Sequence, residues 1–161
     1  MKILYVVPYL RLPPVNTSTE YHADMIQALT RRGHEVDVIC YVDENTDLLS
    51  LKQICRHIEA VPVHLQRLGS PSSVFFAVLK GIPLTVRKYY SQHFIATLNR
   101  MCYRARAYDI ALLEHIQMSQ FGGLLLKHGI PVALRLHDVE AVRLQLLARS
   151  NAPFYLSLIH I

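Results

Sequence analysis

The sequence predicts an α/β fold, a doubly wound parallel sheet, on three observations. Short apolar runs rich in β-branched residues alternate with amphipathic helical stretches. The first 41 residues make a complete strand–loop–helix–strand unit. The strands read as continuous apolar segments, the pattern of strands buried on both faces.

Ile3-Leu4-Tyr5-Val6-Val7 predicts a first strand over Lys2–Val7. Pro8, Pro13 and Pro14 end it and stiffen the loop that runs to Asn16. Thr17 followed by Glu20 fits a capping box and starts a helix to Arg32. Tyr21, Met25, Ala28 and Leu29 recur at helical spacing and predict its apolar stripe. Arg31 and Arg32 suit the negative helix end, and Gly33 suits the left-handed residue after it. Val36, Val38 and Ile39 begin a second strand over Glu35–Tyr41.

A polar turn at Asp43–Asp47 leads to a helix from Thr46 to about His57. Ile58–Val63 reads as a third strand, and Ser72–Lys80 as a short apolar helix stopped by Gly81 and Pro83. Ser91–Ala107 is a longer helix with Phe94, Leu98, Met101 and Cys102 as its apolar stripe. Ile110–Leu113 is a fourth strand, and Met118–His128 a helix ended by Gly129 and Pro131. Val132–Leu136 is a fifth strand, followed by a helix over Val139–Arg149. Pro153–Ile161 is apolar and reads as a truncated end or a short foreign scar.

The 161 residues suffice for one domain with a real core, and the 52% apolar content argues against disorder. No apolar run approaches the roughly 20 residues of a membrane span, and the N-terminus lacks the features of a signal peptide. The expectation is therefore a cytoplasmic protein. The three cysteines, Cys40, Cys55 and Cys102, form no paired motif, and the nine histidines show no metal-ligand spacing, so no metal is expected. The net charge of +5 is unevenly placed. The stretch 60–108 has no acidic residue but holds Arg67, Lys80, Arg87, Lys88, Arg100, Arg104 and Arg106. It fits a solvated basic face, or a surface for an anionic membrane or a phosphate-bearing partner. No nucleic-acid-binding motif accompanies it.

With strand order 3-2-1-4-5, a ligand crevice forms where the order reverses, between strands one and four. Three segments line it: Pro8–Thr19, Glu114–Ser119 and His137–Glu140. Asn16, Thr17, Ser18 and Thr19 offer hydroxyls and N–H groups at a helix start, which suit a phosphate and equally suit a helix cap. The segment has no glycine, so it is neither a P-loop nor a dinucleotide turn. His137 sits in the densest polar cluster, Arg135–Glu140, where it suits a hydrogen bond to a reacting hydroxyl or to developing phosphate charge. The alternative is that Asp138 caps the next helix with His137 packed beside it. Glu114 and His115 end the fourth strand in the same way, as cleft residues or as structurally satisfied ones.

Met1–Tyr9, Arg32-Gly33-His34-Glu35-Val36, Tyr108-Asp109-Ile110 and His137-Asp138-Val139-Glu140 together resemble the N-terminal half of a GT-B glycosyltransferase. More narrowly they resemble the family-4, group 1 type that assembles bacterial polysaccharides and lipid-linked glycans. The segment around Gly81-Ile82-Pro83-Leu84 is similar to the branch tied to exopolysaccharide systems. The resemblance implies a Rossmann-like, acceptor-side domain over 1–155, with 156–161 as a truncated end or scar and the C-terminal donor-binding domain absent. It implies a retaining transferase that moves a sugar from a nucleotide-sugar to a glycan or lipid-linked acceptor, without a bound metal. His137 matches the family's catalytic cleft histidine. The loop with Asn16, Thr17, Ser18 and Thr19 matches the donor-phosphate loop, although the family's glycines are missing here. Glu114, His115, Asp138 and Glu140 fall on the acceptor side of the cleft. The chain alone is expected to be inactive in transfer, and the parent peripheral on the inner membrane face. The alternatives are another GT-B-fold enzyme, such as a nucleotide-sugar epimerase, or a non-catalytic membrane-associated binding module. A glycosidase is not the expectation, since no carboxylate pair is placed to flank a glycosidic bond.

Overall fold

The structure, a computed structural model, describes residues 1–11, 17–62, 79, 84–104 and 108–136. Five strands form one parallel sheet: β1 (Lys2–Val7), β2 (Glu35–Val42), β3 (His57–Pro62), β4 (Ile110–Glu114) and β5 (Val132–Arg135). Their order is β3-β2-β1-β4-β5, so the chain reverses direction across β1 as expected. The described helices are α1 (Thr17–Arg31), α2 (Leu48–Ile54), α3 (Leu84–Arg87), α4 (Gln92–Arg104) and α5 (Gly122–Lys127), with a 3₁₀ turn over Ile116–Phe121.

The alternation of the strands sorts the core into two halves. Tyr5, Val7, Val38 and Cys40 face a layer that holds Ile26 of α1 and Leu51 of α2. Leu4, Val6, Ile39 and Tyr41 face Phe94, Leu98 and Met101 of α4, together with Phe121 and Leu125. Each fully buried aliphatic or aromatic side chain contributes about 1.5–3 kcal/mol through burial. Phe94 also stacks on Tyr41 at 4.7 Å and on Phe121 at 4.6 Å, so it joins β2 to the 3₁₀ turn. Helices thus cover both faces of the sheet.

Two glycines end helices as left-handed residues. Gly33 has φ 80° after α1, and Gly129 has φ 72° after α5. In both, the residue after the glycine donates back to a carbonyl five positions earlier: His34 N–H to Leu29 at 3.2 Å, and Ile130 N–H to Leu125 at 3.1 Å. This is a Schellman closure, and a Cβ at either glycine would be strained by the backbone alone. At α2 the cap is Asp47, whose Oδ1 accepts from the N–H groups of Leu49 at 2.9 Å and Ser50 at 3.2 Å, so the helix starts two residues later than Thr46. The helix expected over Ser72–Lys80 lies, except for Leu79, outside the described residues, as does the one over Val139–Arg149.

The buried face of α1 is rotated from the expected stripe. Ala23 and Ile26 are buried there together with two polar residues, Thr19 and His22, while Tyr21, Met25, Ala28 and Leu29 are only half-buried. His22 turns inward to a partner on the sheet, the Tyr5 hydroxyl.

Candidate functional site

Of the buried polar residues Thr19, His22, Asp37, Thr97 and Glu114, three (Thr19, His22 and Glu114) gather at the carboxyl edge of the sheet. They lie where β1 and β4 part, the switch point at which open α/β sheets bind ligands. Tyr5 of β1 and His22 of α1 meet there, with the Tyr5 hydroxyl 3.2 Å from His22 Nδ1. The other nitrogen of His22, Nε2, lies 3.3 Å from Nε2 of His115, the residue that follows β4. Tyr21 packs edge-on against His22 with ring centres 5.8 Å apart.

Glu114 is wholly buried beside this pair. It is held by Arg135 of β5, with Nη2 2.7 Å from Oε1 and Nε 3.2 Å from Oε2. The two residues are register partners across β4 and β5, so the sheet itself aligns the fork with the carboxylate. The guanidinium of Arg135 also lies over the Tyr21 ring, 5.0 Å from its centre. Burial opposes the Arg135 charge, but the hydrogen bond and charge of Glu114 outweigh it and hold the Arg135 pKa above its ordinary value. Burial pushes the Tyr5 phenol well up, and the charge of Glu114 and a hydrogen bond to it push further.

His115 has φ 66° and ψ 155°, the one positive φ outside glycine among the described residues. That conformation is costly for a residue with a Cβ and persists only where surroundings enforce it. Here the His115 N–H donates to the Arg135 carbonyl at 2.9 Å, and its own carbonyl accepts from Met118 N–H at 3.1 Å. The second bond opens the 3₁₀ turn, so the helix expected from Met118 becomes a 3₁₀ turn followed by α5.

The start of the loop after β1 is tied to the end of β2. Leu10 is fully buried and its N–H reaches the Tyr41 carbonyl at 3.4 Å. The Tyr9 hydroxyl donates to Asp43, and Arg11 Nη1 stands 3.6 Å from the same carboxylate.

These contacts place the expected site residues as follows. Glu114 and His115 follow one another at the carboxyl end of β4, and Thr19 is buried on α1 one turn before His22. Thr17 and Ser18 begin α1. Asn16, His137, Asp138 and Glu140, and the side chains of Thr17 and Ser18, lie outside the described residues. Sequence reasoning missed His22, Tyr5 and Arg135. The available signal was the spacing of Thr19, His22, Ala23 and Ile26, a helical face with two polar members.

The amino edge of the sheet has a different network. Asp37 is 3% exposed and accepts from Arg56 Nε at 2.8 Å and from the Tyr108 hydroxyl at 2.9 Å. Arg56 also pairs with Glu35 at 2.9 Å. This network links β2 to Tyr108, two residues before β4, and to Arg56, the residue before β3, which is a packing role.

Among the described residues no group of three or more His, Cys, Asp or Glu side chains could hold a metal ion, and no helix is long and apolar enough to cross a membrane. The buried cysteines are unpaired, and burial raises the Cys55 and Cys102 thiols to about 11.

No curated protein matches the sequence. Among solved structures, the C-terminal domain of a hydrogenase from Pyrococcus furiosus is similar. It is 16% identical with a TM-score of 0.50, over 84% of this chain and 91% of that one. A shorter form of the same domain is 16% identical with a TM-score of 0.48, over 83% and 90% of the two chains. At such identity the likeness speaks to the α/β fold alone. The family described as glycosyl transferase 4-like domain matches residues 16–160, which takes in α1, four of the five strands and every described residue of the carboxyl-edge cluster except Tyr5. A parallel sheet with a buried polar cluster at its switch point, matched by that family over nearly its whole length, identifies the chain as a member of the glycosyl transferase 4-like domain family.

Proposed function

We propose that the chain is the acceptor-side domain of a retaining GT-B glycosyltransferase. It moves a sugar from a nucleotide-sugar to a glycan or lipid-linked acceptor, in the branch tied to exopolysaccharide assembly. The observation that carries this reading is the cluster of His22, His115, Tyr5, Glu114 and Arg135 at the sheet's switch point, in a chain of the glycosyl transferase 4-like family. An acceptor hydroxyl needs a hydrogen-bonding group fixed in place before reaction, and positioned groups supply much of the rate enhancement of group transfer. His115 is so fixed, by backbone and side chain together. In this reading His137 is the catalytic histidine, and Asn16, Thr17, Ser18 and Thr19 approach the donor diphosphate through hydroxyls and N–H groups. Asp138 and Glu140 complete the acceptor side. Departing diphosphate charge is stabilised electrostatically, without a metal.

The parent works in the cytoplasm, peripheral on the inner membrane face. α4 supports this: it exposes Arg100, Tyr103 and Arg104 along one side, with Tyr103 75% exposed. A basic and aromatic face suits an anionic lipid surface.

The test is a titration of the ¹⁵N-labelled chain with short oligosaccharides and prenyl-phosphate-linked sugars, followed by NMR. Resonances of His22, His115 and Glu114 should move while those of Asp37 and Arg56 stay. No response to any of these probes at millimolar concentration would overturn the acceptor-side reading. Sedimentation with anionic vesicles at low and high salt tests the membrane face, which predicts salt-sensitive binding.

A further inference from the structure

A groove between α4 and α5 lies at the other end of the sheet from the switch point. α4 leads into β4 and α5 into β5, so both helices end at the amino edge. Their last turns enclose a cavity of about 730 Å³, a size typical of ligand pockets. Asn99 and Tyr103 line it from α4 at i and i+4. Leu124, Lys127 and His128 line it from α5 and its cap at i, i+3 and i+4. Each helix thus gives the groove one face.

Two contacts fix the lining. His128 Nε2 lies 2.8 Å from Asn99 Oδ1 and joins the helices. The rings of Tyr103 and His128 meet edge to face, with centres 4.9 Å apart and planes at 88°. Tyr103 is nonetheless largely exposed, so an aromatic ring is held in place with much of its surface in water.

The polar groups left over on the lining are mixed in kind. With neutral His128 donating from Nε2 to Asn99 Oδ1, His128 Nδ1 remains an acceptor and the Asn99 amide a donor. With the amide turned, Asn99 Oδ1 remains the acceptor and His128 Nδ1–H the donor. Either way the pair keeps one donor and one acceptor. The Tyr103 hydroxyl and the Lys127 ammonium add donors, and neither has a hydrogen-bond or ion-pair partner among the described residues.

This mixture separates ligand classes. A phosphate only accepts, so it leaves the acceptor of the pair unmatched, and it meets the negative ends of two helices. A sugar hydroxyl both donates and accepts. The C–H face of a pyranose is apolar and lies flat on a phenol ring, and Leu124 extends the apolar surface. We propose that the groove binds one neutral sugar residue of a glycan chain, with Tyr103 as the stacking ring and Asn99 and His128 as the hydroxyl-binding pair. The site is separate from the carboxyl-edge cluster, so it holds a glycan to the domain and places no reacting hydroxyl. That this glycan is the acceptor rests on the glycosyltransferase reading, whereas the sugar site does not.

Titration of the ¹⁵N-labelled 161-residue chain with neutral gluco-, galacto- and manno-oligosaccharides, followed by NMR, reads groove and crevice separately. The Asn99 side-chain amide, the His128 ring nitrogens and the backbone amides of Leu124, Lys127 and His128 should move saturably at millimolar sugar. The shifts should survive added salt, because the ligand is uncharged. Tyr103→Ala should lose them and Tyr103→Phe should keep them, since the ring does the stacking. Both variants change an exposed side chain, and the unmodified chain carries the main reading by itself. No groove response to any of these sugars overturns the proposal, as does equal loss in Tyr103→Phe. A salt-sensitive response to inorganic phosphate or to phosphatidylglycerol vesicles, with none to sugar, also overturns it and leaves Tyr103 to the membrane face. Groove shifts with His22 and His115 unmoved uphold the sugar site and count against the acceptor-side crevice. Shifts at His22 and His115 alone strike the groove and leave the crevice standing.

Discussion

His22 and His115 lie 93 positions apart in the chain, yet their Nε2 atoms stand 3.3 Å from one another. His115 meets His22 from a backbone φ of 66°, a conformation that costs about 1–3 kcal/mol for a residue with a Cβ. Glycine escapes that cost. His115→Gly should therefore be more stable than His115→Ala by about 1 kcal/mol or more in urea unfolding. At an ordinary strand position glycine is instead the weaker by about 0.5–1 kcal/mol. Both variants lose the imidazole, so the comparison isolates the backbone. An alanine variant as stable as the glycine one would mean that no strain is stored there.

The Glu114–Arg135 pair is asymmetric in its exposure. The Glu114 side chain is 0% exposed and the Arg135 side chain 38%. Arg135→Met leaves a carboxylate with no route to water and should cost about 3–5 kcal/mol. Glu114→Gln leaves a guanidinium that can turn toward solvent, and the amide keeps an acceptor, so about 1–2 kcal/mol is expected. Denaturant unfolding of both variants tests the ranking. The reverse order would mean that the carboxylate, not the arginine, finds a new partner.

How far this arrangement was legible depends on the range of the forces behind it. The five strands and their order follow from continuous apolar runs, and the ends of α1 and α5 follow from Gly33 and Gly129. Those are local properties. The buried face of α1 was not legible in the same way, because hydropathy counts Thr19 and His22 as outward. His22 meets partners on β1 and after β4, which no local pattern announces. The φ of His115 is likewise imposed from a distance, by Arg135 on the next strand. Glu114 and His115 were found as strand-end polar residues, but their roles emerged only when the register brought Arg135 alongside.

Asp43 ties the loop after β1 to the end of β2, and its titration reports the tie. Its pKa is lowered, first by the hydrogen bond from Tyr9, with Thr46, the Asn45 N–H and Arg11 adding to it against burial. A carboxyl lowered on folding contributes stability above its unfolded pKa of about 3.9, and that stability is lost as pH falls through the folded value. Carboxyl ¹³C titration should place Asp43 below the ordinary carboxylate range in the unmodified chain. Tyr9→Phe should move it up toward that range. An unchanged midpoint would mean that Tyr9 does not hold Asp43 in solution.

The two polar networks should separate stability from function, because they sit at opposite edges of one sheet. At the amino edge Tyr108 donates to buried Asp37, and that bond is worth about 1 kcal/mol to folding. Tyr108→Phe should lower stability by about that amount and leave the response to oligosaccharides unchanged. Asp37→Asn should cost more, about 3 kcal/mol, since it disturbs the contacts to both Arg56 and Tyr108. At the carboxyl edge His22→Ala and His115→Ala should abolish the oligosaccharide response of the crevice while the chain stays folded. Ligand titration followed by NMR, paired with urea unfolding of each variant, reads both quantities. A sugar response lost in Tyr108→Phe and kept in His115→Ala would move the binding site to the amino edge, against the rule that places ligands at the carboxyl ends of parallel strands.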